Sequence, residues 1–101
     1  VLIEVKIDWT QERILKEIKV QSEKYNVSEA VMNTVIKCES DYKRFAKGDG
    51  GKSRGLSQIH SGYHPDVLDE MAYDPAFAIE FLAQKLALGQ GYLWTCYRKY
   101  Y

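Results

Sequence analysis

Hydrophobic residues recur at helical spacing in the first quarter of the chain. Between residues 8 and 25, apolar side chains return every three or four positions, and charged side chains occupy positions between them. This periodicity predicts an amphipathic first helix. Asp8 or Thr10 can cap its start by accepting a backbone N–H bond, and Asn26 marks its end.

A second helix is predicted from Ser28, its N-cap, to about Ser40, with an apolar face formed by Val31, Met32, Val35 and Ile36. Glu39 then lies at the C-terminal end of this helix. Because the helix dipole disfavours negative charge at that end, the position favours the protonated form of the Glu39 carboxyl.

Residues 46–62 contain five of the seven glycines, so a helix cannot persist there. Glycine tolerates positive φ and carries no side chain, which suits a tight turn or a short hairpin whose backbone comes close to a ligand. We expect this segment to form one wall of a cleft, with Glu39 on the opposite wall.

The second half of the chain reads as three more helices. A short helix is predicted over Asp66 to Met71, and Pro75 suits the first position of the next one. Gly89 and Gly91 close that helix, and residues 92–101 predict a final helix. The expected apolar stripe of the fourth helix is Phe77, Phe81, Leu82, Leu86 and Leu88.

The composition fits one mainly α domain spanning residues 1–101, because the chain has the length of a single domain and apolar residues throughout. Equal numbers of basic and acidic residues give no field that would attract nucleic acid or an anionic membrane. No apolar run approaches the ~20 residues of a membrane span. Val1–Glu4 lacks the features of a signal peptide, so we expect the chain to begin after processing or trimming.

Familiar catalytic motifs of other classes are missing. The chain has no phosphate loop, nucleophile elbow, zinc-protease motif or dinucleotide fingerprint. His60 and His64 are four residues apart, but Pro65 argues against a shared helical face, so we expect loop or surface histidines and neither a metal nor a cofactor. From composition alone, Cys38 and Cys96 are either one disulfide or two free thiols.

Two motifs nevertheless resemble a known family. Val35-Ile36-Lys37-Cys38-Glu39-Ser40, followed by Gly55-Leu56-Ser57-Gln58-Ile59, is similar to the paired Glu-Ser and Gly-Leu-Met-Gln motifs of soluble-lytic-transglycosylase-type domains. Gly48-Asp49-Gly50-Gly51 resembles the Gly-Asp stretch of goose-type lysozymes. Asp74-Pro75 resembles the start of the family's next helix, and Cys96-Tyr97-Arg98 falls where the family has Ala-Tyr-Asn.

This resemblance implies a lysozyme-like helical fold and an enzyme that cleaves the β-1,4 bonds between N-acetylmuramic acid and N-acetylglucosamine in peptidoglycan. Glu39 would be the general acid, since breaking a glycosidic bond needs a proton delivered to the leaving oxygen. Asp49 would hold a hydrolytic water, or else is an ordinary turn residue. The remaining predicted substrate contacts are Ser40, Gln58, Tyr97, Ser57 and His60.

Each of these assignments has a structural alternative. Ser40 can bond the backbone, Gln58 can bond its own loop, and Tyr97 can be an ordinary core residue. Ser57 stands where the family has Met, and His60 stands where goose-type enzymes have Asp. Trp94 and Tyr92 can stack on sugars, although we expect them to pack in the core.

The reaction type also stays open. We favour a lytic transglycosylase over a hydrolytic lysozyme, because only Glu39 is well supported as an acid. Ser57, and a chain that stops where relatives continue, keep an alternative: a non-catalytic module that binds glycan or protein within a larger cell-wall-penetrating assembly. Part of the groove would then be absent or supplied by another chain. Either function implies an extracellular or periplasmic destination, and a phage source fits as well.

In the fold of the resembled family, the helices carrying Cys38 and Cys96 are neighbours around the acid. We therefore predict a disulfide between them, worth about 4 kcal/mol in the chain-entropy model. The alternative is two buried thiols in a reducing compartment, as in a phage endolysin before release.

Overall fold

Residues 8–101 are described by the structure, a computed structural model. The opening segment Val1–Glu4 lies outside the described residues. The first two helices, α1 (Gln11–Tyr25) and α2 (Glu29–Ser40), have the bounds and caps that the sequence predicts. The side-chain oxygens of Thr10 and Ser28 each accept the backbone N–H three residues further on, and Asn26 ends α1 in the left-handed conformation, with φ 53°.

The glycine-rich segment forms a small antiparallel sheet, which confirms the predicted short hairpin. Its strands are β1 (Lys47–Gly48), β2 (Ser53–Arg54) and β3 (Ile59–His60), with β2 in the middle. A 3-10 turn, Asp49–Gly51, joins β1 to β2. In the register of the sheet, Ser53 lies opposite Gly48 on one side and His60 on the other.

Three helices follow the sheet: α3 (Asp69–Ala72), α4 (Pro75–Ala87) and α5 (Thr95–Tyr100), with a 3-10 turn at Gly91–Leu93 before α5. Asp74 caps α4 and Pro75 is its first residue, as predicted. The prediction for α3 was wrong by three residues at its start. The final helix is also shorter than the predicted 92–101, because Trp94 is extended and separates the turn from α5.

The apolar stripe predicted for α4 is wrong in part. Leu82 is buried as expected, but Leu88 caps the helix and is 63% exposed. The face turned to the core instead consists of Ala78, Ile79, Leu82 and Ala83, and the predicted Phe77, Phe81 and Leu86 lie at its partly buried margin. Small alanines suit this face because α4 packs against α1.

The core joins the helices to the sheet. α1 packs against α2 and α4, and α2 packs against α5. The largest fully buried side chains come from α1, α2, the sheet segment and α4: Ile14, Ile18, Met32, Ile36, Leu56, Ile59, Ile79 and Leu82. Leu56 and Ile59 therefore anchor the glycine-rich segment on the helices, which fixes the position of the wall that it forms.

A buried arginine fastens the sheet to the loop that follows it. Arg54 is 2% exposed, and its guanidinium donates to the carbonyl oxygens of Ile59 (3.2 Å) and Val67 (2.9 Å). The same group pairs with Asp69 Oδ1 at 2.9 Å, at the first residue of α3. A buried charge needs such partners, and these bonds tie β2 to the loop and to the first residue of α3.

Candidate active site

A cleft of about 560 Å³ lies between the sheet and the C-terminal segment. Glu39 of α2 faces it from one side, and Asp49 and Gln58 face it from the glycine-rich wall. Residues 92–95 and Arg98 complete the side that carries Glu39, and Tyr63 with His64 line another part. The structure thus brings Glu39, Asp49, Gln58 and His60 to one cavity.

Glu39 is the second-last residue of α2, which confirms its predicted position at the helix end. Its side chain is half-buried, and Oε2 accepts a hydrogen bond from the backbone N–H of Cys96 at 3.3 Å. Burial raises the pKa of the Glu39 carboxyl above its ordinary value, the Cys96 N–H opposes the rise, and the nearby charge of Asp49 adds to it while that of Arg98 opposes it. A carboxyl in this state can hold a proton for a ligand in the cleft.

Asp49 opens the 3-10 turn in the left-handed conformation, with φ 52°. Its Oδ2 accepts a hydrogen bond from the Ser53 hydroxyl, and its backbone oxygen accepts the Lys52 N–H at 3.3 Å. These are the bonds of the turn residue that the sequence left as an alternative. Asp49 is also exposed and lines the cleft, so its carboxylate is open to water there.

Gln58 lines the cleft but bonds its own loop. Its side-chain Nε2 donates to the carbonyl oxygens of Ala46 (3.0 Å) and Gly55 (2.8 Å), and its backbone is left-handed, with φ 51°. Its Oε1 lies close over Gly48, at 2.5 Å from where a Cβ would stand. These two hydrogen bonds hold the turn, which is the structural alternative predicted for Gln58. Contact between Gln58 and a sugar remains a prediction.

The other predicted contacts divide between the cleft and the interior. His60 lines the cleft, and its Nδ1 accepts the Gly62 N–H at 3.0 Å. Ser40 is buried and donates to the Ile36 carbonyl at 3.0 Å, and Ser57 is fully buried and donates to the Ala78 carbonyl at 2.9 Å. Neither serine lines the cleft, so neither hydroxyl is placed to meet a ligand there.

The aromatic residues near the C-terminus differ in their burial and in whether they line the cleft. Tyr97 packs against Gly91 and lies 5.2 Å from the Tyr101 ring, outside the cleft lining. Trp94 is buried, as expected, and its Nε1 donates to the Ser57 carbonyl at 2.6 Å. Tyr92 was expected in the core, but it is 58% exposed and lines the cleft.

Several lining residues were missed by sequence reasoning. Tyr63 is 80% exposed, and its ring lies 4.7 Å from that of His60. Lys52 and Arg98 bring positive charge to the same cleft. A signal existed for Arg98, because it belongs to the segment Cys96-Tyr97-Arg98 that resembles a motif of the family. Nothing in the local sequence distinguishes Tyr63 from an ordinary loop tyrosine.

Cys38 and Cys96 form a disulfide with a Cα–Cα distance of 6.0 Å, which confirms the predicted pair. The bond joins α2 to α5 beside Glu39. Within residues 8–101, no group of three His, Cys, Asp or Glu side chains is placed to share a metal ion. Among the same residues, no helix combines the length and apolar character of a membrane span.

Comparisons of the chain with protein-family models, curated proteins and solved structures find no match. The residues of the cleft and the sequence motifs are therefore the evidence from which a function can be inferred.

Proposed function

We propose that this protein cleaves the β-1,4 glycosidic bonds between N-acetylmuramic acid and N-acetylglucosamine in peptidoglycan, with Glu39 as the general acid. The observation that carries the proposal is the half-buried Glu39 carboxyl, with its raised pKa, facing an open cleft that also presents Asp49 and two exposed tyrosines. A raised pKa is what a proton donor to a leaving sugar oxygen requires.

The cleft suits a carbohydrate in its other groups as well. The exposed rings of Tyr63 and Tyr92 offer apolar faces with a polar tip, the combination that packs against sugar rings. Lys52 and Arg98 can meet the carboxylates of a peptidoglycan strand. In the first step, the Glu39 carboxyl gives its proton to the glycosidic oxygen, which leaves with one sugar, while positive charge develops on the ring whose bond to that oxygen breaks.

How the charged ring is then captured depends on Asp49. Its carboxylate is exposed and already accepts the Ser53 hydroxyl, which is a weaker arrangement for a water-holding base than a buried carboxylate would be. We therefore favour attack by the sugar's own hydroxyl over attack by water. The hydroxyl loses its proton to the Glu39 carboxylate left by the first step, and the product has an anhydro end. The Cys38–Cys96 bond supports a destination in an oxidising, cell-wall-facing compartment.

The test compares Glu39→Gln with the native protein on purified peptidoglycan, following turbidity and the masses of the released fragments. Glutamine keeps the shape but cannot deliver a proton, so cleavage should fall by about a hundredfold or more. Glu23→Gln, at an exposed position on α1, is the matched control and should leave the rate unchanged.

Cleavage by Glu39→Gln at the native rate would refute the proposed role. Binding of glycan by the native protein with no release of fragments would refute the enzyme and favour a glycan-binding module. Fragment masses separate anhydro ends from water-opened ends, since the two differ by one water.

A further inference from the structure

Both cysteines of the Cys38–Cys96 disulfide are neighbours of Glu39, Cys38 in the sequence and Cys96 through a hydrogen bond. Cys38 precedes Glu39 in α2, and the backbone N–H of Cys96 donates to Glu39 Oε2 at 3.3 Å. The disulfide therefore links the residue before Glu39 to the residue whose N–H bonds the Glu39 carboxyl.

The helix that carries Cys96 has few other polar anchors. α5 has six residues, and Arg98, its hydrogen-bonding side chain, bonds only to Tyr92 and Thr95 nearby in the chain. Among the hydrogen bonds described for residues 8–101, the bond from Cys96 to Glu39 is the one that links α5 to another helix. An isolated helix this short is not stable, so its place depends on packing and on the disulfide.

The disulfide is exposed at one of its two cysteines, because Cys96 is buried and Cys38 is exposed. Cys38 lines a second hollow of about 530 Å³, which does not share a lining residue with the cleft and whose charged lining residues are Lys37, Lys99 and Asp41. Two lysines against one aspartate leave the hollow with an excess of positive charge, which favours the approach of a thiolate to the exposed Cys38.

We propose that Cys96 is a positioning residue for Glu39, and that the Cys38–Cys96 bond holds its N–H against the carboxyl until a dithiol reduces the bond. In that reduction, one thiolate of the dithiol attacks a cysteine sulfur and the other cysteine leaves as a thiolate. The second thiol then displaces the first cysteine, which yields two cysteine thiols and an oxidised, cyclic reductant. Only the kinetic part of this inference rests on the proposed function.

The test follows the Cys96 amide proton by NMR in ¹⁵N-labelled protein while the pH is varied. An N–H that donates to a carboxylate changes its shift as that carboxylate titrates, so the Cys96 signal should report the ionisation of Glu39. Glu39→Gln should abolish this dependence, which separates it from the titration of Asp49 and of His60 and His64 in the same cleft.

Dithiothreitol is then added in the cold. We expect the Cys96 signal to lose its pH dependence while the helical circular dichroism remains, and kcat on peptidoglycan to fall by about tenfold to a hundredfold with KM little changed. The double variant Cys38→Ser/Cys96→Ser should behave like the reduced protein without reductant, and dithiothreitol should not change it further.

Three results would overturn the inference: no pH dependence at Cys96 in the oxidised protein, a dependence that survives reduction, or a collapse of the helical signal on reduction. A collapse of the helical signal would show that the disulfide stabilises the whole fold and has no particular effect on Glu39. If the oxidised protein does not cleave glycan at all, the proposed function fails, and the NMR measurements still decide whether Cys96 positions the carboxyl.

Discussion

The turn after β2 offers a sharp test of how the glycine-rich wall is held. Gly55 has φ 82°, and a Cβ built on it would lie 2.0 Å from the carbonyl oxygen of Ala72, at the end of α3. Gly51 also has positive φ, at 93°, but a Cβ there would meet nothing within 4 Å. The two glycines therefore share the backbone conformation and differ in the space around them.

We expect Gly55→Ala to destabilise the fold more than Gly51→Ala does. Left-handed backbone costs an alanine roughly 1–2 kcal/mol at either position. At position 55 the sheet and α3 must also move apart, and overpacking of this kind costs about 1–3 kcal/mol more. The difference between the variants should therefore be about 1–3 kcal/mol of unfolding free energy.

Urea denaturation of the two variants and the native protein measures this difference, provided that the slopes of the transitions agree. Gly55 also accepts the Gln58 side-chain N–H, so its displacement should disturb the cleft and lower glycan cleavage in Gly55→Ala alone. Equal losses of stability in the two variants would refute the reasoning, because the contact with Ala72 would then cost nothing.

Three further predictions concern Asp49, Ser57 and Glu39. Asp49→Asn should leave fragment masses unchanged if the product is an anhydro sugar, whereas loss of water-opened fragments would assign Asp49 a catalytic role. Ser57→Ala should lower stability by about 1 kcal/mol, measured in urea, through loss of its bond to Ala78, with cleavage unaffected. Because Glu39 has a raised pKa, its folded form keeps a proton that the unfolded chain loses, so native stability should fall as pH rises from about 4.5 towards the folded pKa. Glu39→Gln should lack that decline in denaturation measured across pH.

The features that sequence reasoning predicted well depend on residues close together in the chain. A cap such as Thr10 or Ser28 bonds an N–H three residues away, and Pro75 needs only the start of its own helix. The positive φ of Asn26 is likewise a local preference of its residue type. Each of these preferences involves residues within about one turn of helix, so the bounds of α1 and α2 could be predicted from the sequence.

The features that were missed depend on partners distant in the chain. Arg54 bonds the Val67 carbonyl and the Asp69 side chain, so residues that the sequence predicted as the first turn of α3 belong to the loop that Arg54 holds, and α3 begins at Asp69. Trp94 bonds the carbonyl of Ser57 at a separation of 37 residues, and its extended backbone shortens α5. Hydrophobic periodicity carries no information about such bonds, because it records only which face of an element is apolar.

The candidate site shows the same division. Glu39 could be placed because helix ends and paired motifs are visible in the sequence, and the resemblance led correctly to the bond between Cys38 and Cys96. Tyr63 and Lys52 could not be placed, since both reach the cleft from loops or turns whose path depends on the sheet. Ser57 matched the position of a motif residue, yet its hydroxyl serves the interior.

The disulfide lies beside Glu39, where its contribution to stability can offset the cost of burying that carboxyl. A carboxyl whose pKa is raised by burial makes the folded protein less stable at pH values above the ordinary pKa of the group. Cross-linking residues 58 positions apart contributes about 4 kcal/mol in the chain-entropy model, and the link is made at the neighbour of that carboxyl. The bond can therefore offset the cost of a poorly solvated acid and also keep the short α5 beside it. A substitution that exposes the Glu39 carboxyl should remove this cost at neutral pH, but it should also make the carboxyl less able to deliver a proton. The contribution of Glu39 to stability and its contribution to the proposed activity are therefore expected to change in opposite directions.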